Sequence, residues 1–224
     1  MVPPRSGASC DLHGMVATLG RLFLDAVAPR RCAGCDAVSE EPICGLYHEV
    51  LQTGPTPAPW RLPTVVAFAA FEFDGVVREV LHRGKFQGDR AALEALSRLA
   101  CPRLGRVPRP DAVLAVPLGR RRRRQRGYNQ AEVIAAVFAE AEHVPLLDGL
   151  VRCRETAPQA RRDEAARLAN IAGAFAWHGV PLGSAGVWLV DDVLTTGATA
   201  MAAATVLAEA GARRVTAVVL ARVL

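Results

Sequence analysis

The sequence predicts an α/β domain: a parallel sheet with helices on both faces, preceded by a small cysteine-containing N-terminal module. Three observations lead there. Short apolar runs at 65–73, 112–116, 187–190 and 215–220 alternate with helix-patterned stretches, the order that yields a parallel sheet covered on both sides. The last two runs enclose a helical stretch to Ala210 closed by Gly211, which makes a β-α-β unit. Gly54, Pro55, Pro57 and Pro59 follow a group of cysteines, so a linker and a boundary fall near residue 58. Residues 1–58 then form an N-terminal helix and zinc-ribbon-like module, and residues 59–224 the main domain.

Length and composition agree with this. A chain of 224 residues holds one full-sized domain and a small appendage. Being 51% hydrophobic and 22% charged, it is globular rather than disordered. The net charge of +5 admits phosphate-bearing partners without requiring nucleic acid. Lys85 is the single lysine; the other basic residues are arginines. No apolar run reaches the ~20 residues that cross a bilayer. Residues 15–27 are interrupted by Arg21 and Asp25 and lack the features of a signal peptide. A cytoplasmic protein is expected, in which cysteines serve as thiols or metal ligands rather than disulfides.

Taken in order, residues 13–28 carry Met15, Val16, Leu19, Leu22, Phe23, Ala26 and Val27 at helical spacing, and Pro29 ends the stripe. Cys32-x-x-Cys35 has the spacing of a zinc knuckle, with Cys44 and then His48 as third and fourth ligands. Cys10 and His13 are also available, and an incomplete remnant of a metal site reads equally well. Residues 65–73 read as a strand, 75–81 as a short turn of helix, and 91–100 as a helix. Residues 112–116 are long enough only for a buried strand, and 131–141 have helical spacing.

The stretch 187–199, VWLVDDVLTTGAT, carries the most chemistry. Four apolar residues run into Asp191 and Asp192; Val193, Thr195, Thr196, Gly197, Ala198 and Thr199 lead into a helix. A helix start presents free N–H groups and a positive dipole end, which suits a phosphate. The hydroxyls at 195, 196 and 199 add donors. Ionised carboxylates only accept hydrogen bonds, so Asp191 and Asp192 suit a vicinal diol. A phosphate and a diol together describe a ribose 5-phosphate. A plain turn with an N-cap would use the same residue types, but not this whole ordered run. The stretch resembles the phosphoribosyl-pyrophosphate (PRPP) loop of type I phosphoribosyltransferases.

Pro117, Leu118, Gly119 and Arg120 lie just past the 112–116 strand, at the sheet edge where ligands bind in such folds. Five arginines, 120–124, and Arg126 follow. They form either a solvated basic loop or an anion site for pyrophosphate, nucleic acid or both.

Taken together, four motifs carry a closer resemblance. They are the V-P-L of 116–118; Arg122, Arg124, Arg126, Gly127, Tyr128, Asn129, Gln130 and Ala131; Arg154, Thr156, Gln159, Arg167 and Asn170 with Gly173, Ala174 and Phe175; and the 190–199 loop. They look like the ComF family, phosphoribosyltransferase-like proteins linked in some bacteria to competence and DNA uptake. Lys85, in HRGKFQGD, fits the same pattern. The match spans about residues 30–222. It implies a type I phosphoribosyltransferase-like fold and a site in which Asp191 and Asp192 are catalytic. It implies that 193 and 195–199 bind the phosphate, that 117–120 bind pyrophosphate, and that Mg²⁺ accompanies PRPP. Residues 152–170 would be a mobile loop covering the site, or an ordinary solvated segment. The N-terminal module would hold Zn²⁺. Two functions stay open: phosphoribosyl transfer, or a non-catalytic accessory role in DNA uptake, binding single-stranded DNA or DNA-uptake proteins.

Overall fold

The structure, a computed structural model, describes residues 29–154 and 173–223. The expected helix over 13–28 and most of the 152–170 segment lie outside the described residues. Helix α1 is Gly45–Thr53. Strands β1 (Trp60–Arg61) and β2 (Val66–Glu72) lead to helices α2 (Gly75–Phe86) and α3 (Arg90–Ala100). Strand β3 is Ala112–Ala115, α4 Arg120–Arg126, α5 Gln130–Glu142 and β4 Leu146–Leu147. A separate pair, β5 (Leu150–Arg152) and β6 (Phe175–Trp177), is antiparallel. Strand β7 (Gly186–Leu194), helix α6 (Ala198–Glu209) and β8 (Arg214–Arg222) complete the described chain.

The main sheet has the order β1-β2-β8-β7-β3-β4. All neighbours are parallel except β1 with β2. Alternation along the strands splits the core into two faces. Trp188, Val190, Val218 and Leu220 pack with α2, α3 and α5. Val187, Leu189, Ala217 and Val219 pack on the other side, where α6 lies. This is the type I phosphoribosyltransferase-like α/β architecture expected from the sequence, with a cysteine cluster near its N-terminal end. Among the described residues no helix is long and apolar enough to cross a membrane.

Three local readings differ from expectation. Helix α2 runs to Phe86 rather than stopping near 81; Asp74 caps its start, and Gly84 is buried inside it. Residues 120–126 are a seven-residue helix rather than a loop. Arginine is a good helix former, and Gly127, at φ +75°, ends the helix in the left-handed conformation that glycine takes without penalty. Strand β7 also continues through the acidic pair to Leu194, held by pairing with β8 up to Arg222.

The cysteine module is not packed apart from the rest. Ala33, Ile43 and Leu51 share one buried cluster with Val76, Val80, Leu93 and Leu96. Arg103 reinforces this seam: its guanidinium donates to the carbonyls of Leu51 (2.7 Å), Gly54 (3.0 Å) and Ala70 (2.8 Å). The last carbonyls of α1 lack partners within the helix, and Arg103 satisfies them from the main domain.

Candidate functional site

The carboxyl ends of β7 and β3 bring two expected groups to one sheet edge. Because β7 stays extended through residues 191 and 192, the two carboxylates point to opposite faces. Asp192 turns toward α2, where Lys85 Nζ meets its Oδ2 at 2.9 Å. Both side chains are largely buried, at 19% exposure for Lys85 and 13% for Asp192. Asp191 turns the other way, and its Oδ1 accepts the N–H of Asp192 at 2.8 Å. Burial first, and then the charge of Asp192, push the Asp191 carboxyl up to about 7; Lys85 and Arg152 oppose that rise. The pair is therefore one carboxylate locked to a lysine and one whose proton is in play near neutrality.

The loop that follows is shaped for close approach. Gly197 sits at φ +75°, and a Cβ there would come within 2.4 Å of the Leu62 side chain. Only glycine allows the segment after β1 to lie against this loop. Helix α6 starts at the next residue, so the N–H groups of its first turn face the same edge as Thr195, Thr196 and Thr199. Thr195 is exposed, and Val193, Thr196 and Thr199 are half-buried, whereas Gly197 and Ala198 are buried.

On the neighbouring strand, Val116 N–H still pairs with Val190 O at 2.8 Å. Pro117, Leu118 and Gly119 then leave the sheet beside β7, and α4 begins at Arg120. A cavity of about 420 Å³ opens next to them, lined in part by Pro117, Arg123, Asp148 and Leu150.

The arginine run does not act as one group. Arg123 makes two bonds to Glu132, at 2.6 and 3.3 Å. Arg126 donates to Gln130 Oε1 at 3.0 Å and lies 5.8 Å from the centre of the Phe86 ring. Arg120, Arg122 and Arg124 are exposed. Tyr128, Asn129 and Gln130 are buried, at 6%, 1% and 1% exposure. Tyr128 is thus unable to stack a base. The aromatic ring that reaches solvent is Phe86, 68% exposed, beside His82 at 4.7 Å between ring centres. Sequence reading missed the part played by Phe86 and the ion pair of Lys85; the one available signal was that Lys85 is the sole lysine.

In the N-terminal module the sulfur atoms of Cys32, Cys35 and Cys44 lie within 4.8 Å of one another. Cys35 and Cys44 sulfurs are 3.9 Å apart. Two backbone N–H groups, of Gly34 and Cys44, donate to Cys32 Sγ at 3.3 Å. Burial raises the Cys32 thiol, but these bonds outweigh it and bring it down to about 7. Convergent thiols with N–H···S support fit a zinc-type ion. The exposed His48 is not part of this cluster, and Cys10 and His13 lie outside the described residues.

No family model matches the chain. A DNA utilization protein YhgH of Escherichia coli O6:H1 is 32% identical over 219 residues, covering 92% of this chain and 93% of the relative. Competence protein ComFC of Bacillus subtilis is 28% identical over 146 residues, 64% of this chain and 58% of that protein. The chain belongs to the ComF family. Competence protein F of Haemophilus influenzae, also similar, is 31% identical over 131 residues, 54% of this chain and 56% of that one. Among solved structures, the glutamine PRPP amidotransferase of B. subtilis is similar at TM-score 0.41 and 22% identity, over 58% of this chain and 26% of that one. The adenine phosphoribosyltransferase of Leishmania tarentolae is similar at TM-score 0.42 and 14% identity, over 74% and 94%.

Proposed function

We propose that this ComF-family chain binds PRPP, or a related ribose 5-phosphate, at the β7–α6 edge, and transfers its phosphoribosyl group. The observation that carries this reading is the run from Asp191 to Thr199: a lysine-paired and a titrating carboxylate one peptide from each other, then hydroxyls and a helix start. Thr195, Thr196, Thr199 and the first N–H groups of α6 hold the 5-phosphate. Asp191 and Asp192 accept the ribose hydroxyls, and residues 117–120 face the pyrophosphate. The oxygen-only donor set matches a hard cation, and Mg²⁺ arriving on PRPP would neutralise charge on the departing pyrophosphate. These residues position the sugar and stabilise charge as the C1–pyrophosphate bond opens; none is needed as a nucleophile. Calorimetry with PRPP and Mg²⁺, joined to pyrophosphate release in the presence of nucleobases and ammonia, tests binding and turnover separately. Absence of PRPP binding at millimolar ligand would reject the reading.

A second reading, an accessory role on single-stranded DNA, is supported by the exposed arginines of α4 beside the exposed ring of Phe86 and by the names of the relatives. Residues 1–58 are proposed as a zinc-binding module before the 59–224 domain, in a cytoplasmic protein. Cys32, Cys35 and Cys44 would hold the zinc with a fourth ligand, for which His48 or the 10–13 segment is available. Structural zinc of this kind stabilises its fold outright. Metal analysis of purified protein should give about one zinc per chain; under about 0.2 would favour a remnant.

A further inference from the structure

Two buried side-chain donors outside the acidic edge converge on a single carbonyl. Gly84 lies in the last turn of α2, so its carbonyl is one of four with no partner inside the helix. It is buried, and the hydroxyl of Tyr128 and Nε2 of Gln130, the latter at 3.3 Å, both donate to it. Two donors saturate both lone pairs of the oxygen. Arg126 holds Gln130 Oε1, which leaves the amide nitrogen turned to Gly84. Asn129, between them, donates to Val116 O at 3.0 Å, just ahead of the 117–119 loop, and its Oδ1 caps α5 through Ala131 N–H.

The next residue after Gly84 is Lys85, whose ammonium meets Asp192. A lysine side chain loses substantial rotamer freedom when its head is held in one place. The pairing therefore depends on the backbone that aims it. Without donors, a buried helix-end carbonyl would turn toward water and unwind the last turn.

We propose that Tyr128 and Gln130 are positioning residues: by clamping the Gly84 carbonyl they fix the end of α2 so that Lys85 holds Asp192 oriented for the sugar. This rests on the ribose-phosphate reading of the acidic edge, while the clamp itself is a separate geometric claim.

Because Lys85 is the only lysine, selective ¹³C,¹⁵N-lysine labelling gives one side-chain signal. In the parent protein its ammonium should be protected from exchange with water. Tyr128→Phe with Gln130→Met should abolish that protection and weaken PRPP about tenfold or more, the size of one charge-assisted hydrogen bond. Leu207→Ala, a core change on α6 far from the clamp, should lower the melting temperature but leave the Lys85 signal in place. If the double variant does not fold, the two single variants take its place, with partial loss expected in each. An unchanged Lys85 signal in a folded clamp variant overturns the proposal. Loss of the signal in a protein whose parent binds no PRPP upholds the clamp and rejects the ribose-phosphate reading instead.

Discussion

Two polar motifs of this chain look alike on paper and fold to opposite ends. Residues 191–199 stay at the open edge of the sheet, where Thr195 is exposed and the hydroxyls at 196 and 199 are half-buried. Residues 128–130 go inside, and their polar atoms are engaged within the protein: by Gly84 O, Val116 O, Ala131 N–H and the Arg126 guanidinium. A buried polar group must be paired, so the second motif has little left to offer a ligand. It holds the parts that meet the ligand. Sequence spacing alone does not separate the two cases; the destination of each donor does.

The comparison breaks most visibly at the acidic pair. Asp191→Asn with Asp192→Asn should cost at least about 3 kcal/mol of PRPP binding, since bonds to charged groups are worth about 1.5–3 each. The melting temperature should not rise, because relief of repulsion between the carboxylates is offset by the largely buried Lys85 ammonium losing its partner. Calorimetry and a thermal melt on the same samples read both. Equal affinity would mean that this edge does not bind the sugar.

At the buried motif the effect should move from binding to stability. Asn129→Ala removes an N-cap and strands the Val116 carbonyl, at a cost of about 2–3 kcal/mol of unfolding free energy. Thr199→Ala should cost under about 0.5 kcal/mol, as exposed or half-exposed substitutions do. Urea melts of the two variants side by side sharpen the contrast, and similar losses would erase it.

The pH dependence follows from Asp191. Its folded value near 7 lies above the ordinary 3.8, so between these values the folded chain holds a proton that the unfolded chain has released. Stability should therefore be greatest below about pH 4 as far as this group is concerned, and fall as pH rises to 7, by on the order of 1–2 kcal/mol for a partly solvated carboxyl. Asp191→Asn should flatten that slope. PRPP affinity should run the opposite way, rising through pH 7 as the carboxylate forms, and a flat affinity profile would remove Asp191 from the diol contact.

The smallest expected effect concerns DNA. Phe86→Ala should weaken single-stranded DNA binding by about 1 kcal/mol, the low end for one stacked base. Arg122→Ala with Arg124→Ala should reduce the slope of log affinity against log salt by about 1.4, at about 0.7 per lost phosphate contact. PRPP affinity should be unchanged in both. DNA binding that survives all three changes would take the α4 face out of the accessory role.

Much of this was legible in the chain alone. The alternation of apolar runs located the strands of a parallel sheet, because strands buried on both faces need continuous apolar side chains. The order of acids, hydroxyls and glycine marked the sheet edge that carries them. The cysteine spacing likewise announced three sulfurs that do converge. These are local properties, set by a residue and its near neighbours. Tertiary packing decided what depends on distant partners. It extended β7 through Asp192 by pairing with β8, and so sent the two carboxylates to opposite faces. It brought Lys85 across from α2, buried Tyr128 and exposed Phe86. It also tied the cysteine module to the main core through Arg103, a residue with no sequence signal at all. A side chain's partner far along the chain, as Asp192 is to Lys85, is fixed by how helices settle on the sheet, and no spacing within a motif encodes that.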